Sequence, residues 1–424
     1  MNNSKAGMLT VLRNRDFAAL WSSQLISKIG DNFAVVAALV LINELAQASG
    51  FALVAIGVAV TLPQLFALAS GVFIDRFSRK VVMIFTDVLR AGAILLALLV
   101  QHPGDLWILY LTAFSVMALG AVYIPARNAS VPNMVPEEHL LTANALIQAT
   151  ELVSLIVGSS LATLVISLTS SSTAFVVDAA TFLLSGLLLL AARIPQGAPT
   201  GALVARRGEF RRFWASFMEG IRYIGSNRHL LQLMAITTMA TLGLSATVLL
   251  AAFYFKELFG LETALLGLLQ ATEGVGMAIG AMLISGYASW ARSRQIVSVT
   301  MIILGIGILV IGIVPIYWLV LVGALIVGLC VVSARTTLAA MTQALVPDAQ
   351  RGRVESAMVT VIGIGTMGAL IMAGILGDVV GPTSVFVVTG IVVLVAGVAS
   401  IFALRGAEER LLNGIEVEQP VPFE

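Results

Sequence analysis

From Phe17 to Leu404 the chain returns repeatedly to apolar runs about twenty residues long, separated by short gaps that hold most of its charge. A hydrocarbon layer of about 30 Å needs roughly 20 helical residues to cross, and inside it a lone segment satisfies its backbone polar groups only as a helix. Composition agrees. With 59% hydrophobic and 11% charged residues and a mean hydropathy of +1.00, the chain has too little polar surface to cover a water-soluble globule. Division at charges and turn residues predicts about twelve spans, near Phe17–Ile42, Phe51–Ile74, Val81–Gln101, Leu106–Ile124, Leu140–Leu168, Thr173–Ala192, Leu230–Phe255, Ala264–Tyr287, Gln295–Pro315, Trp318–Ala339, Ser356–Val380 and Thr383–Leu404. The expectation is an all-α membrane protein.

Basic residues are retained on the cytoplasmic side of short loops. With the N-terminus inside, Arg13, Arg15, Arg79, Lys80, Arg292, Arg294, Arg351, Arg405 and the arginines between spans six and seven all become cytoplasmic, and only Lys256 falls outside. Both termini are therefore expected in the cytoplasm of a cell with this chain in its inner or plasma membrane. The basic stretch is explained by topology and anionic lipid, so no nucleic-acid partner is expected. Nothing at the start reads as a cleavable signal. Cys330 is the only cysteine, and His102, His139 and His229 are scattered, so no disulfide, metal site or other cofactor is expected.

Two echoes point to duplication. Gly71, Asp75, Arg76, Arg79 and Lys80 stand in the gap after span two; Gly286 and Arg294 repeat Gly71 and Arg79 after 215 residues, with Trp290 in place of the aspartate. Val135, Pro136 and Asn144 recur as Val346, Pro347 and Glu355 after 211 residues. Parallel repeats of this kind place a binding site at their interface near midplane. The expected domains are a six-helix half at 1–194, a linker at 195–229 with an amphipathic helix on the inner membrane surface, a second half at 230–404 and a disordered acidic tail at 405–424.

The charged loop is similar to the cytoplasmic motif of the major facilitator superfamily, with Ser78 in place of the usual glycine. Asn14, Arg15, Asp16 and Phe17, then Leu20 and Trp21, then Ile29, Gly30 and Asp31, resemble the multidrug and macrolide-efflux branch, as do Asp87 to Arg90 and Pro125 to Asn128. The resemblance covers nearly the whole chain. It implies two six-helix pseudo-symmetric halves, alternating access, and a conformational latch of Gly71, Asp75, Arg76, Arg79 and Lys80 with Asp87 and Arg90 in span three.

A charge at a helix centre costs about 2.5–3.5 kcal/mol, so each one that persists needs a partner, water or a proton. In span one, Gln24, Lys28 and Asp31 share a face with Asn32 beside them, and Lys28 and Asp31 are spaced to pair. Span five repeats the spacing in Asn144, Gln148 and Glu151, and span eight carries Gln270 and Glu273. Asp31, Glu151 and Glu273 are the candidate carriers of a proton or contacts for a cationic cargo, and a bridge from Lys28 to Glu273 is one arrangement. Asp178 is expected to face water near the end of span six.

No phosphate-binding Gly-x-x-x-x-Gly-Lys-Ser/Thr loop occurs, so an ion gradient rather than ATP must drive any pumping by this chain. The resulting expectation is a monomeric secondary exporter, not an enzyme, that exchanges protons for amphipathic small molecules such as drugs or macrolides. A dedicated exporter of a siderophore, metabolite or lipid is the alternative, and a non-transporting sensor a remote one.

Overall fold

The computed structural model describes residues 10–45, 50–65, 77–136, 139–194, 209–259, 264–287, 292–314 and 316–412. Its elements are helical: α1 (Arg15–Leu45), α2 (Gly50–Leu65), α3 (Arg79–Leu95), α4 (Leu106–Ser130), α5 (Leu140–Leu168), α6 (Ser171–Ala191), α7 (Glu209–Ser226), α8 (Arg228–Phe259), α9 (Ala264–Tyr287), α10 (Ser293–Ile313), α11 (Tyr317–Leu345), α12 (Asp348–Val380), α13 (Pro382–Ala403) and α14 (Arg405–Leu412). Each predicted span overlaps one of α1–α6 or α8–α13, and residues 66–74 of the second span and Pro315 of the ninth lie outside the described residues. Among the described residues, nine helices are long and apolar enough to cross a membrane, and α2 and α9 contain shorter apolar stretches, Val54–Pro63 and Leu268–Ile284.

The chain forms two compact units, one of residues 1–206 with 251–274 and one of 207–250 with 275–424. In the first, α1 lies against α6 and α5, α3 against α6 and α4, and α2 against α4. Phe17, Leu20, Met83, Tyr123 and Leu189 form part of its buried core. In the second, α10 packs on α13 and α11, and α12 packs on α7.

Glycines set the closest of these approaches. A Cβ on Gly305 of α10 would stand 2.6 Å from the Leu394 nitrogen, and one on Gly397 of α13 would stand 2.8 Å from that of Ile302. Gly312 and Gly390 lie in the same way against Phe386 and Leu309. Lipid tails offer no hydrophobic drive for helices to associate, so backbone approach of this kind supplies the van der Waals contact that does.

Within each unit the same hydrogen bonds recur. Asn14 Oδ1 accepts from the Asp16 and Phe17 amides (3.0 and 3.2 Å) and caps α1. Asn227 Oδ1 accepts from the His229 and Leu230 amides (3.0 and 3.3 Å) and caps α8. The Ser185 hydroxyl of α6 donates to Asp87 Oδ2 of α3 (2.7 Å), and Ser298 of α10 bonds Ser400 of α13 at the same 2.7 Å. Lys80 Nζ donates to the Leu190 carbonyl (2.7 Å), as Arg294 Nη1 does to that of Ile401 (3.1 Å). The paired positions lie 211 to 215 residues apart, the spacing of the sequence echoes.

Two expectations about the linker and the tail are corrected. The apolar face of α7, expected on lipid, is taken up by protein from Phe217 onward: Ile224 is 1% exposed and Gly220 abuts the Arg353 carbonyl. Glu219 also pairs with Arg353. The predicted disordered tail starts as helix α14. Its Glu408 is buried and meets Arg294 Nε at 2.7 Å, while Gly406 lies against the His229 ring. Residues 413–424 lie outside the described residues.

Candidate functional site

Lys28 is held between two carboxylates of the first unit. Its Nζ lies 3.2 Å from Asp31 Oδ2 on its own helix and 3.8 Å from Glu151 Oε1 on α5. The i, i+3 spacing delivers the first contact, and the packing of α1 on α5 delivers the second. That packing is specific. Asn32 Nδ2 donates to the Lys28 carbonyl (2.8 Å) and to the Ser154 carbonyl on α5 (3.1 Å). Gly158 lets the helices close up, since a Cβ there would stand 2.9 Å from the Ile29 carbonyl oxygen and from Asn32 Cβ. Nearly two turns from the helix start, Trp21 Nε1 donates to the Leu146 carbonyl (3.3 Å). Asn32 thus ties α1 to α5 beside the lysine.

The Lys28, Asp31 and Glu151 side chains are 29%, 21% and 50% exposed. Lys28 lies within 4 Å of an oxygen of each carboxylate, so a small movement of its side chain carries it from one partner to the other. Three charges sum to −1 with both carboxylates ionised. A proton on either one, or a cationic guest, would compete with the ammonium for the remaining oxygens.

The other expected members are more dispersed. Gln24 is 1% exposed, and neither of its amide atoms meets a protein partner, so it is buried behind the site rather than continuing an open polar stripe. Gln148 and Asn144 lie on the exposed side of α5. Gln270 of α9 is occupied by the Ser159 hydroxyl (3.0 Å), and Gly274 packs on Ile156. Glu273 is half-buried, and Lys28 pairs with Asp31 and Glu151 instead, so the expected Lys28 to Glu273 bridge is not formed.

Of the expected latch, Gly71, Asp75 and Arg76 lie outside the described residues. Arg79 Nη1 donates to the Ala129 carbonyl (2.6 Å), and Lys80 Nζ to those of Leu190 and Ala192 (2.7 and 2.8 Å). These cations cap the C-terminal turns of α4 and α6, where orphan carbonyls and the helix dipole favour positive charge. Asp87 and Arg90 are buried. Asp87 is 0% and Arg90 7% exposed, and they pair at 3.7 Å. Asp87 begins the third turn of α3, about 12 Å along its axis, which carries it into the bundle. The Arg90 guanidinium lies over the rings of Tyr123 (5.0 Å) and Phe182 (5.5 Å), and Gly120 leaves room for it.

Sequence reasoning missed that aromatic seat and misplaced Asp178. Rather than facing water, Asp178 is 0% exposed, because the packing of α6 on α1 turns it against Gly30. A glycine directly before Asp31 was the available signal for so close a neighbour.

A profile of the transmembrane secretion effector family, MFS_3, matches residues 6–420. The chain is 25% identical over 332 residues to the MFS-type transporter YkuC of Bacillus subtilis, covering 76% of each chain. It is 24% identical over 254 residues to macrolide efflux protein A of Enterococcus faecalis, covering 59% of this chain and 76% of the relative. A solved bacterial homologue of the human lysosomal transporter Spinster, inward-facing and unoccupied, superposes with a TM-score of 0.70 at 14% identity, covering 96% of this chain and 99% of the other. The fold is that of the major facilitator transporters, and the chain belongs to the transmembrane secretion effector family, MFS_3.

Proposed function

We propose that this membrane transporter is a secondary exporter that exchanges protons for amphipathic, preferentially cationic small molecules such as drugs or macrolides. The observation that carries this reading is Lys28 placed between Asp31 and Glu151. In that arrangement a proton or a cationic guest is exchanged by a change of partner rather than by exposing a naked charge. The efflux relatives support the direction of transport. Alternating access follows from two six-helix halves, 1–194 and 230–404, joined by the linker, with both termini cytoplasmic and a monomer as the working unit. Asp75 and Arg76 are assigned to the latch, with Arg79 and Lys80 anchoring their loop to α4 and α6.

The test is uptake of a panel of cationic dyes and macrolides into inverted vesicles under an imposed pH gradient. Uptake is expected with the intact chain and falls to the level of empty vesicles with Glu151→Gln or Asp31→Asn. Equal uptake with and without the gradient overturns proton exchange. Unchanged gradient-driven uptake in both variants overturns the site.

A further inference from the structure

We propose that Asp178, on α6 beside Gly30, is a second proton-carrying group of the transport cycle, and that it hands its proton to and from Asp31 of the neighbouring helix. This rests on the proton exchange proposed above. The geometry leaves the carboxyl little choice of state. Asp178 is 0% exposed, and no described residue meets its Oδ2. The Thr181 hydroxyl is its one side-chain contact, 3.4 Å from Oδ1, but it also lies 2.7 Å from the Asp178 carbonyl. A hydroxyl has a single proton, and the shorter bond takes it. A carboxylate buried without donor or cation is prohibitive, whereas a carboxylic acid is a tolerable buried group. Asp87 on the neighbouring α3 shows the contrast, with Ser185 donating to it and Arg90 paired with it.

The place of Asp178 suits a relay. A Cβ on Gly30 would stand 2.5 Å from Asp178 Oδ1 and 1.9 Å from Thr181 Oγ1, so only glycine lets α1 seat there. The next residue is Asp31. The helices packed on α6 carry Lys28 and Asp31 on α1, Asp87 and Arg90 on α3 and Glu151 on α5, the last 3.8 Å from Lys28. The Arg90 guanidinium stands over the ring of Phe182, one turn along α6 from Asp178. When Lys28 shifts to Glu151, Asp31 loses its cation and becomes the better base. The Asp178 O–H bond then breaks, an O–H bond forms on Asp31, and the charge left behind falls in the field of Arg90. Reversal returns the proton.

Asp178→Asn keeps the shape and a permanently neutral group, and so separates a proton carrier from a packing residue. In vesicles where the intact chain accumulates a fluorescent cation against its gradient, the variant is expected to lose pH-driven accumulation while retaining cargo exchange at equal pH. Accumulation equal to the intact chain overturns the role of Asp178. If Asp178→Asn does not fold, the protonated state is read by infrared spectroscopy in Glu273→Gln, which takes the half-buried Glu273 carboxyl out of the spectrum. A high-frequency carboxylic C=O band at neutral pH, shifted by deuterium exchange, supports the assignment, and its absence overturns it. An intact chain that shows no response to the pH gradient would refute the exchange mechanism itself, and the relay with it.

Discussion

Replacing Asp87 with alanine removes the anion from a pair that is almost wholly buried, since Asp87 is 0% and Arg90 7% exposed. Breaking a buried pair from one side costs about 3–5 kcal/mol, because the remaining charge is stranded. Here the stranding is softened. Arg90 keeps the faces of Tyr123 at 5.0 Å and Phe182 at 5.5 Å, a desolvated cation–π seat worth about 1–2 kcal/mol. The loss of the Ser185 bond at 2.7 Å adds about 1 kcal/mol. A net destabilisation of about 3 kcal/mol follows, which for a cooperative unit of this size lowers the unfolding midpoint by about 6–12 °C. Thermal unfolding of the purified chain in detergent measures it. Asp87→Ala with Arg90→Met removes both charges, so the double variant is expected to unfold above the midpoint expected from adding the two single losses. Strict additivity would refute the claim that Arg90 depends on Asp87.

Two further outcomes follow from packing and from titration at the start of α8. Gly305→Ala drives a Cβ to 2.6 Å from the Leu394 nitrogen and is expected to cost about 1–3 kcal/mol, whereas Gly307→Ala, with nothing within 4 Å of its Cβ, leaves the same midpoint unchanged or slightly raised. Burial, with Arg410 and Arg228 nearby, holds His229 below its ordinary value of 6.5. The unfolded chain therefore binds the proton more readily, and stability should fall as pH drops from 6.5 towards the lowered folded value while staying flat above it. His229→Gln should flatten that slope in midpoints measured across the range, and an unaltered slope would place its origin elsewhere.

The spans were legible because a membrane imposes one length scale, and every predicted run overlaps a helix among the described residues. Lys28 with Asp31 was legible from spacing alone. Glu151 could be singled out, but its meeting with Lys28 depends on Asn32 and Gly158, which set how α1 rests on α5. Asp178 was misread because distance from a helix end says nothing about which side faces a neighbour, and Gly30 decides that. The aromatic seat of Arg90 is assembled from α4 and α6, and the docking of α14 rests on Arg294, 114 residues before Glu408. Such contacts have no local signature in the chain.

The recurring bond between α3 and α6, and between α10 and α13, runs in opposite senses. In the first unit Ser185 on the later helix gives its proton to Asp87. In the second, Ser400 already donates to the Gly397 carbonyl at 2.7 Å, so Ser298 on the earlier helix must be the giver. Chimeras that graft one helix at a time between the repeats would set a serine opposite Asp87 or opposite another serine, and because a hydroxyl both gives and accepts, the bond can form again. At this contact the single helix is an exchangeable part.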